Sequence, residues 1–142
     1  MGVPVCDFKN IIRSYCRDQW QVHWSNLTNN FKLKSIRPSG HPWHHGRMDR
    51  RSSIILTRLR VGHTHYTHRY LMASGAERQA PRCTACQVDF TVKHVLVQCP
   101  SFENKRRANM LSNKTLEEIL DENAPVEDIV KFLKDIELFY DI

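Results

Sequence analysis

Three of the five cysteines and one histidine lie within the stretch RCTACQVDFTVKHVLVQC, residues 82–99, in the pattern Cys83-x2-Cys86-x7-His94-x4-Cys99. Two cysteines separated by two residues can turn back on one cation, and the second pair can return to it after a short hairpin strand, for which DFTV is the candidate. Three thiolates and one imidazole nitrogen complete a tetrahedral shell, which is typical of structural Zn²⁺. Because a closed shell leaves no position for water, the pattern disfavours metal-assisted hydrolysis. The alternative is a coincidental spacing of four core residues.

The residues around this pattern suggest what the metal does. Arg82 and Lys93 flank the ligands and can offset the net charge of a zinc ion bound by three thiolates. Val92, Val95 and Leu96 are apolar enough to dock the segment on a helical core. We therefore expect zinc to stabilise a segment that is too short to fold alone.

The cysteine count and the start of the chain bear on the compartment. The chain has five cysteines, an odd number, and its start, MGVPVCDFKN, contains no apolar signal segment. This combination favours reduced thiols and metal over disulfides, and hence an intracellular location in the nucleus or cytoplasm. No apolar run approaches the ~20 residues that cross a bilayer, so we expect no membrane partner.

Charge is distributed unevenly along the chain. Residues 1–111 hold 18 Lys and Arg against 6 Asp and Glu, a net charge of +12, whereas residues 112–142 hold 3 against 9, a net charge of −6. A basic body followed by an acidic end is typical of a nucleic-acid partner, either RNA or DNA. The alternative is that the acidic end simply pairs with the basic body.

Apolar residues at steps of three and four predict a first helix over residues 7–27, with Asp7 as its cap. The apolar stripe of this helix is expected to lie in the core, as aromatic stripes usually do. Its members are Phe8, Ile11, Ile12, Tyr15, Cys16, Trp20, Trp24 and Leu27. The polar connector 28–48 follows, and its histidines (His41, His44 and His45) lack cysteine or carboxylate partners and do not predict a metal site.

Local capping signals predict the remaining helices. A second helix begins near Asp49 or Ser52 and stops at Gly62, and a third begins after Thr64 and ends at Gly75. Beyond the zinc pattern, a helix is expected from Pro100, a second from the capping box formed by Thr115 and Glu118, and a last amphipathic helix from Pro125. The apolar face of the last helix consists of Val126, Ile129, Val130, Leu133 and Ile136.

Together these elements predict a mainly α, small helical domain with an embedded Cys3His zinc-knuckle-like hairpin. We expect one domain over residues 1–142, with a helical basic part at 7–75, the zinc segment at 82–100 and C-terminal helices at 101–142. The side chains expected to contact phosphates are Arg58, Arg60, Arg69, Arg82, Lys105, Arg106 and Arg107. Such contacts give affinity with little sequence specificity.

Histidines and aromatic rings are further candidates for contact with nucleic acid. His63 and His68 could touch it, with capping and polar packing around Thr64 as the equally good alternative. Stacking on single strands would need an exposed ring, and the candidates are Tyr66, Tyr70 and Phe90, although core packing is the commoner role of such residues.

The runs RLRVGHTHYTHRYLMASG and PRCTACQVDFTVKHVLVQCPSFENKRR resemble the C-terminal end of non-LTR (LINE-type) retrotransposon polyproteins, particularly the jockey-like group of arthropods. In that family a segment of the type R-L-R-x-G-H-T-x-x-T-H precedes a C-x2-C-x7-H-x4-C zinc knuckle. The residues that match the first segment are Arg58, Leu59, Arg60, Gly62, His63, Thr64, Thr67 and His68. Those that match the knuckle are Cys83, Cys86, His94 and Cys99.

The resemblance implies a role in gripping template RNA or target DNA during target-primed reverse transcription. In the family, an endonuclease, a reverse transcriptase and sometimes an RNase H domain precede this region, so the reverse transcriptase domains of the same element are possible partners. The chain itself has no polymerase motif of Tyr/Phe-x-Asp-Asp type and too few carboxylates before residue 100 for an RNase H site. We therefore expect a binding region without its enzymes.

Two other functions remain open. The runner-up is a protein-interaction or scaffolding module in which zinc holds the fold and the last helix docks a partner domain. The third is a nuclease that uses the histidines of GHTHYTH. No carboxylate or asparagine accompanies those histidines in a recognisable catalytic set, so an enzymatic role is disfavoured.

Overall fold

The computed structural model describes residues 5–27, 32–40, 48–74 and 79–142, and most of these are helical. The α-helices are α1 (Val5–Asn26), α2 (Lys32–Ile36), α3 (Arg50–Val61), α4 (His65–His68), α5 (Glu103–Ala108), α6 (Leu116–Leu120) and α7 (Val126–Asp135). Two 3₁₀ turns and one π-helical turn complete them: Arg69–Met72, Pro100–Phe102 and His94–Gln98. The prediction of a mainly α domain is confirmed.

The prediction of a strand at DFTV is wrong. The described parts of the chain contain a single isolated antiparallel bridge, between Arg82 and Asp89, and no continuous strand. The backbone beyond Thr91 turns at once into helical geometry. The four residues of DFTV alternate polar and apolar as in a strand, but so short a segment does not separate strand from helix by periodicity.

Local capping chemistry sets the bounds of α3 and α4, as the sequence predicted. The Asp49 carboxylate accepts hydrogen bonds from the first backbone N–H groups of α3. Gly62 ends that helix at a φ of 77°, a left-handed conformation that glycine adopts without steric cost. Thr64 and Thr67 then form a reciprocal capping box that begins α4. Helical geometry in this region ends at Met72, earlier than the predicted end at Gly75, because Ala73 already has extended backbone geometry.

The core joins α3, the metal-ligand segment and the C-terminal helices. Its most completely buried side chains are Ile55, Leu96, Cys99, Leu111, Ile119, Leu120, Ile129, Phe132 and Leu133. Val95 and Leu96 belong to this same cluster, so the segment that carries the cysteines is part of the domain core and not an independent unit. The expected docking of its valines and leucine is confirmed.

The C-terminal region follows the predicted pattern closely. Thr115 and Glu118 form the capping box of α6, as expected. Pro125 immediately precedes α7, whose Ile129 and Leu133 are buried. The periodic pattern omitted Phe132, which is fully buried beside them.

The connector 28–48 contains the short helix α2, which the sequence did not predict. The histidines of this connector, at 41, 44 and 45, lie outside the described residues.

The prediction that α1 contributes its apolar stripe to the core is wrong. Six members of that stripe are exposed: Phe8, Ile11, Ile12, Tyr15, Cys16 and Trp20. Among the described residues, the hydrogen bonds from α1 to other elements come from its C-terminal end, where the Trp24 indole donates to the Arg37 carbonyl at 3.0 Å and Gln21 accepts from the Gly40 N–H at 2.7 Å. Periodicity indicates that a helix has an apolar face, but it does not indicate what covers that face.

Truncation of Leu96 tests the shared core. Leu96→Ala should lower the free energy of unfolding by about 2–5 kcal/mol, because a fully buried leucine is replaced by a cavity. Urea denaturation followed by circular dichroism measures this. The matched control is Leu71→Ala, since Leu71 is 51% exposed and its truncation should change stability by less than about 0.5 kcal/mol. Equal unfolding midpoints for the two variants would contradict the position of Leu96 in the core.

Candidate metal centre

The four predicted ligands meet in space. The Cys99 sulfur lies 3.7 Å from the Cys83 sulfur and 3.8 Å from the Cys86 sulfur, and the candidate ligand atoms, including one nitrogen of His94, all lie within 4.8 Å of one another. In a tetrahedral site with metal–sulfur bonds of about 2.3 Å, neighbouring sulfurs are about 3.8 Å apart. A disulfide would need about 2.05 Å. The cluster therefore has the dimensions of a shell that could hold one metal ion.

A tight turn brings Cys83 and Cys86 to the same side. The Gln87 N–H donates to the Cys83 carbonyl at 2.8 Å, and the Cys83 N–H donates to the Val88 carbonyl at 2.9 Å. Gln87 has a φ of 58°, which lets the chain double back between these two bonds. The turn is thus formed by backbone hydrogen bonds, so that both sulfurs are available to bind a metal ion.

A π-helical turn brings in His94 and Cys99. The Cys99 N–H donates to the His94 carbonyl at 2.8 Å, a bond that spans five residues. In an α-helix, residues five apart point about 140° away from each other. The wider π turn places them on one face, and such turns are frequent at functional sites. The spacing His94-x4-Cys99 therefore fits this turn rather than the hairpin return that the sequence suggested.

The surroundings of the ligands favour a bound cation. His94 is buried, and its Nε2 has no hydrogen-bond partner among the described residues, a costly arrangement that metal coordination would relieve. The imidazole of His94, helped by the backbone N–H groups of Cys86 and Ala85, lowers the pKa of the Cys83 thiol to about 6. Burial, followed by the neighbouring sulfurs, raises the pKa of Cys86 to about 11. A bound cation would lower the pKa of the Cys86 thiol and so favour its thiolate form.

Arg106 stabilises the π turn by hydrogen bonds to its backbone carbonyls. Its guanidinium donates to the Cys99 carbonyl at 2.6 Å, to the Val95 carbonyl at 3.2 Å and to the Glu103 carboxylate at 2.8 Å. The side chain is only 3% exposed. The Ser112 hydroxyl and the Arg106 guanidinium both lower the pKa of Glu103. The prediction that Arg106 contacts phosphates is therefore wrong, because its buried guanidinium donates its hydrogen bonds to groups inside the domain.

The prediction that Arg60 contacts phosphates is also wrong. This residue is also 3% exposed, and its guanidinium donates to the carbonyls of Leu120 and Asp121 at the end of α6. Burial lowers the pKa of Arg60 to about 10, so the group stays cationic at neutral pH. It satisfies carbonyls that the helix end leaves without partners, and it is not at the surface as a phosphate contact would need to be. Nothing in the local sequence distinguishes Arg60 or Arg106 from an exposed arginine.

The other predicted contact residues are at the surface. Arg58, Arg69, Arg82, Lys105 and Arg107 are exposed. Arg58 also donates to the Ile142 carbonyl at 2.5 Å, and Arg82 lies 4.0 Å from the exposed Asp89 carboxylate, a weak solvent-screened pair. His63 is exposed and stacks on half-buried His68, so the structure gives these histidines both packing and surface access. Among the aromatic candidates, Phe90 is buried and packs on Tyr66 in the core, whereas Tyr70 lies at the surface, half-buried.

Comparison of the chain with protein-family models, with curated proteins and with solved structures gave no match. None of the described helices is long and apolar enough to span a membrane.

Removal of one sulfur tests the metal centre. The chain should bind one metal ion, and Cys99→Ser should lose it and lower the melting temperature, because the fully buried Cys99 sulfur contacts both other sulfurs. Native mass spectrometry and thermal unfolding with and without a chelator measure both effects. Cys16→Ser is the matched control, since Cys16 is exposed on α1 and should retain metal content. Unchanged metal content in Cys99→Ser would contradict the site.

Loss of the Arg106 guanidinium tests the support of the π turn. Arg106→Met should lower the free energy of unfolding by about 2–4 kcal/mol, because the carbonyls of Val95 and Cys99 and the Glu103 carboxylate each lose a hydrogen bond from the buried guanidinium. Metal affinity should fall by about 10–100-fold, as is usual when a group that orients the ligands is removed. Urea unfolding and competition with a chromogenic chelator measure the two quantities. The control is Arg107→Met, because Arg107 is exposed. Equal free energies of unfolding and equal metal affinities in the two variants would contradict the role of Arg106.

Proposed function

We propose that this chain is a zinc-stabilised, largely sequence-non-specific RNA- or DNA-binding region, of the kind found at the C-terminal end of non-LTR retrotransposon polyproteins. The observation that carries the proposal is the set of cations that remain exposed on α3, α5, the 3₁₀ turn 69–72 and the metal-ligand segment. Their members are Arg58, Arg69, Arg82, Lys93, Lys105 and Arg107. The acidic residues are concentrated in 112–142 and leave this basic part of the chain in excess.

Zinc is the metal that the donor set favours. Three thiolates and one imidazole suit Zn²⁺, and the sulfur separations of 3.7 and 3.8 Å match tetrahedral zinc geometry. Four protein ligands leave no coordination position for a reacting water molecule. The ion therefore contributes to folding, and binding of a ligand falls to the surface around it.

The exposed cations set the expected strength of the salt dependence. Five of the seven residues predicted to contact phosphates are exposed, and the other two, Arg60 and Arg106, are buried. Five phosphate contacts on duplex DNA give a slope of log K against log salt of about −4.5. Affinity should then fall by about 10²–10³-fold between 50 and 200 mM salt.

The resemblance to retrotransposon polyproteins supports the same function and suggests where it acts. In that family the region follows the reverse transcriptase, so the ligand would be template RNA or target DNA, and the polymerase domains of the same element would be neighbours. The chain lacks the motifs of those enzymes. We therefore assign it binding and no catalysis.

A protein-interaction module is the second candidate, and the exposed stripe of α1 favours it. Phe8, Ile11 and Tyr15 are each more than half exposed on that helix. The last helix, which the sequence suggested as the docking element, buries Ile129, Phe132 and Leu133 within the domain instead. An interface formed by the α1 stripe would be apolar and comparatively indifferent to salt.

Salt-dependent binding separates the two candidates. Fluorescence anisotropy with a labelled 20-base-pair DNA duplex and a 20-nucleotide RNA, at 50 and 200 mM salt, should show the steep loss of affinity given above. Arg82→Gln and Arg107→Gln should each reduce the magnitude of the slope by about 1, because each removes one phosphate contact. Lys131→Gln, an exposed change within the acidic region, is the control and should leave the slope unchanged. No binding at 50 mM salt would contradict the proposal.

A further inference from the structure

A groove lies between the α4 region and the metal-ligand segment. Thr67, His68 and Tyr70 line one side of it, and Pro81 and Asp89 line the other. Its volume is about 190 Å³. Pockets that enclose drug-sized ligands are larger, at about 300–1,000 Å³, so this groove has room for one planar ring system and not for a whole nucleotide chain.

The rings of His68 and Tyr70 line this groove, and the His63 ring stacks on His68 outside the lining. The His63 and His68 rings stack with their centroids 4.0 Å apart and a tilt of 27°, and His68 and Tyr70 are nearly parallel, with centroids 6.4 Å apart and a tilt of 29°. The Thr67 hydroxyl lies 2.6 Å from Nδ1 of His68 and orients that ring. A planar base in the groove could pack against the rings that line it, because every nucleobase has a π face that stacks on aromatic rings.

Charges around the groove separate the place of a base from the place of a phosphate. Asp89 lines the groove, and its carboxylate would repel a phosphate but accept N–H groups from a base edge. Arg82 is exposed, and its guanidinium lies 4.0 Å from the Asp89 carboxylate. Arg69 is also exposed and is the residue between His68 and Tyr70 in the sequence. The cations are therefore outside the groove, and the acceptor is within it.

We infer that this groove binds one unpaired nucleobase of single-stranded RNA or DNA, held against the rings of His68 and Tyr70, with the His63 ring supporting His68 from outside the groove. The phosphates on either side of that base contact Arg69 and Arg82. This inference rests on the proposed function and specifies its ligand. Bases of an intact duplex are paired and stacked on each other, so only an unstacked base enters the groove.

Matched single-stranded and duplex probes test the groove. The zinc-loaded full chain is mixed with a 12-nucleotide RNA, the corresponding DNA strand or its duplex, with 2-aminopurine at the central position of each single strand. Single strands should bind at least about 10-fold more tightly than the duplex, and stacking should quench the 2-aminopurine fluorescence. RNA and DNA strands with similar affinities would identify the base as the recognised group; a preference for RNA would add contacts to the 2′-hydroxyl.

Ring variants separate stacking from charge. His63→Ala and Tyr70→Ala should weaken single-strand binding by about 5–100-fold with an unchanged salt slope, and Tyr70→Ala should abolish the quenching. Tyr70→Phe keeps the ring and should keep both properties. Circular dichroism and zinc content confirm that each variant is folded.

The outcomes distinguish the groove from the wider function. Salt-dependent binding that is equal for single strands and duplex, unaffected by Tyr70→Ala and without quenching, overturns the groove and leaves the proposed function standing. Equal losses in Tyr70→Phe and Tyr70→Ala also overturn stacking. No binding of any probe at 50 mM salt overturns both.

Discussion

The buried guanidinium of Arg106 is the interaction on which the arrangement of this domain depends. It joins α5 to the carbonyls of Val95 and Cys99, at the two ends of the π turn that carries half of the candidate ligands. A buried charge is costly unless it is fully paired, and here Glu103 and two carbonyls surround it. Because the pairing works only when the π turn is formed, folding of α5 and positioning of the ligands are coupled.

The π turn connects the metal centre to the apolar core. His94 and Cys99 face the candidate metal centre, whereas Val95 and Leu96 between them belong to the main core cluster. Five-residue spacing makes this possible, since an α-helix would point the two ligands in different directions. Metal binding should therefore add to the stability of the whole domain and not of a local loop alone, because the same few residues serve both purposes.

The sequence was most informative where the signal was local. Cysteine spacing identified the four residues that meet at the metal centre, and capping residues such as Asp49, Gly62 and Thr115 placed helix bounds correctly. The failures concern long-range partners: α1 has the periodicity of a packed helix but presents its stripe to solvent, and Arg60 binds carbonyls sixty residues away. Such pairings have no local signature, because an arginine in a basic helix looks the same whether it is buried or exposed.

For the proposed nucleic-acid-binding function, the burial of Arg60 and Arg106 reduces the number of surface cations that could contact phosphates. A surface that relied on charge alone would lose part of its affinity with every cation used internally, since each phosphate contact contributes separately to counterion release. Base stacking supplies affinity that is insensitive to salt, and the half-buried Tyr70 beside two stacked histidines is the feature of the surface that could supply it. The capping box of Thr64 and Thr67 fixes the backbone between His63 and His68. In the proposed function, the segment GHTHYTH is a support that holds these rings in place.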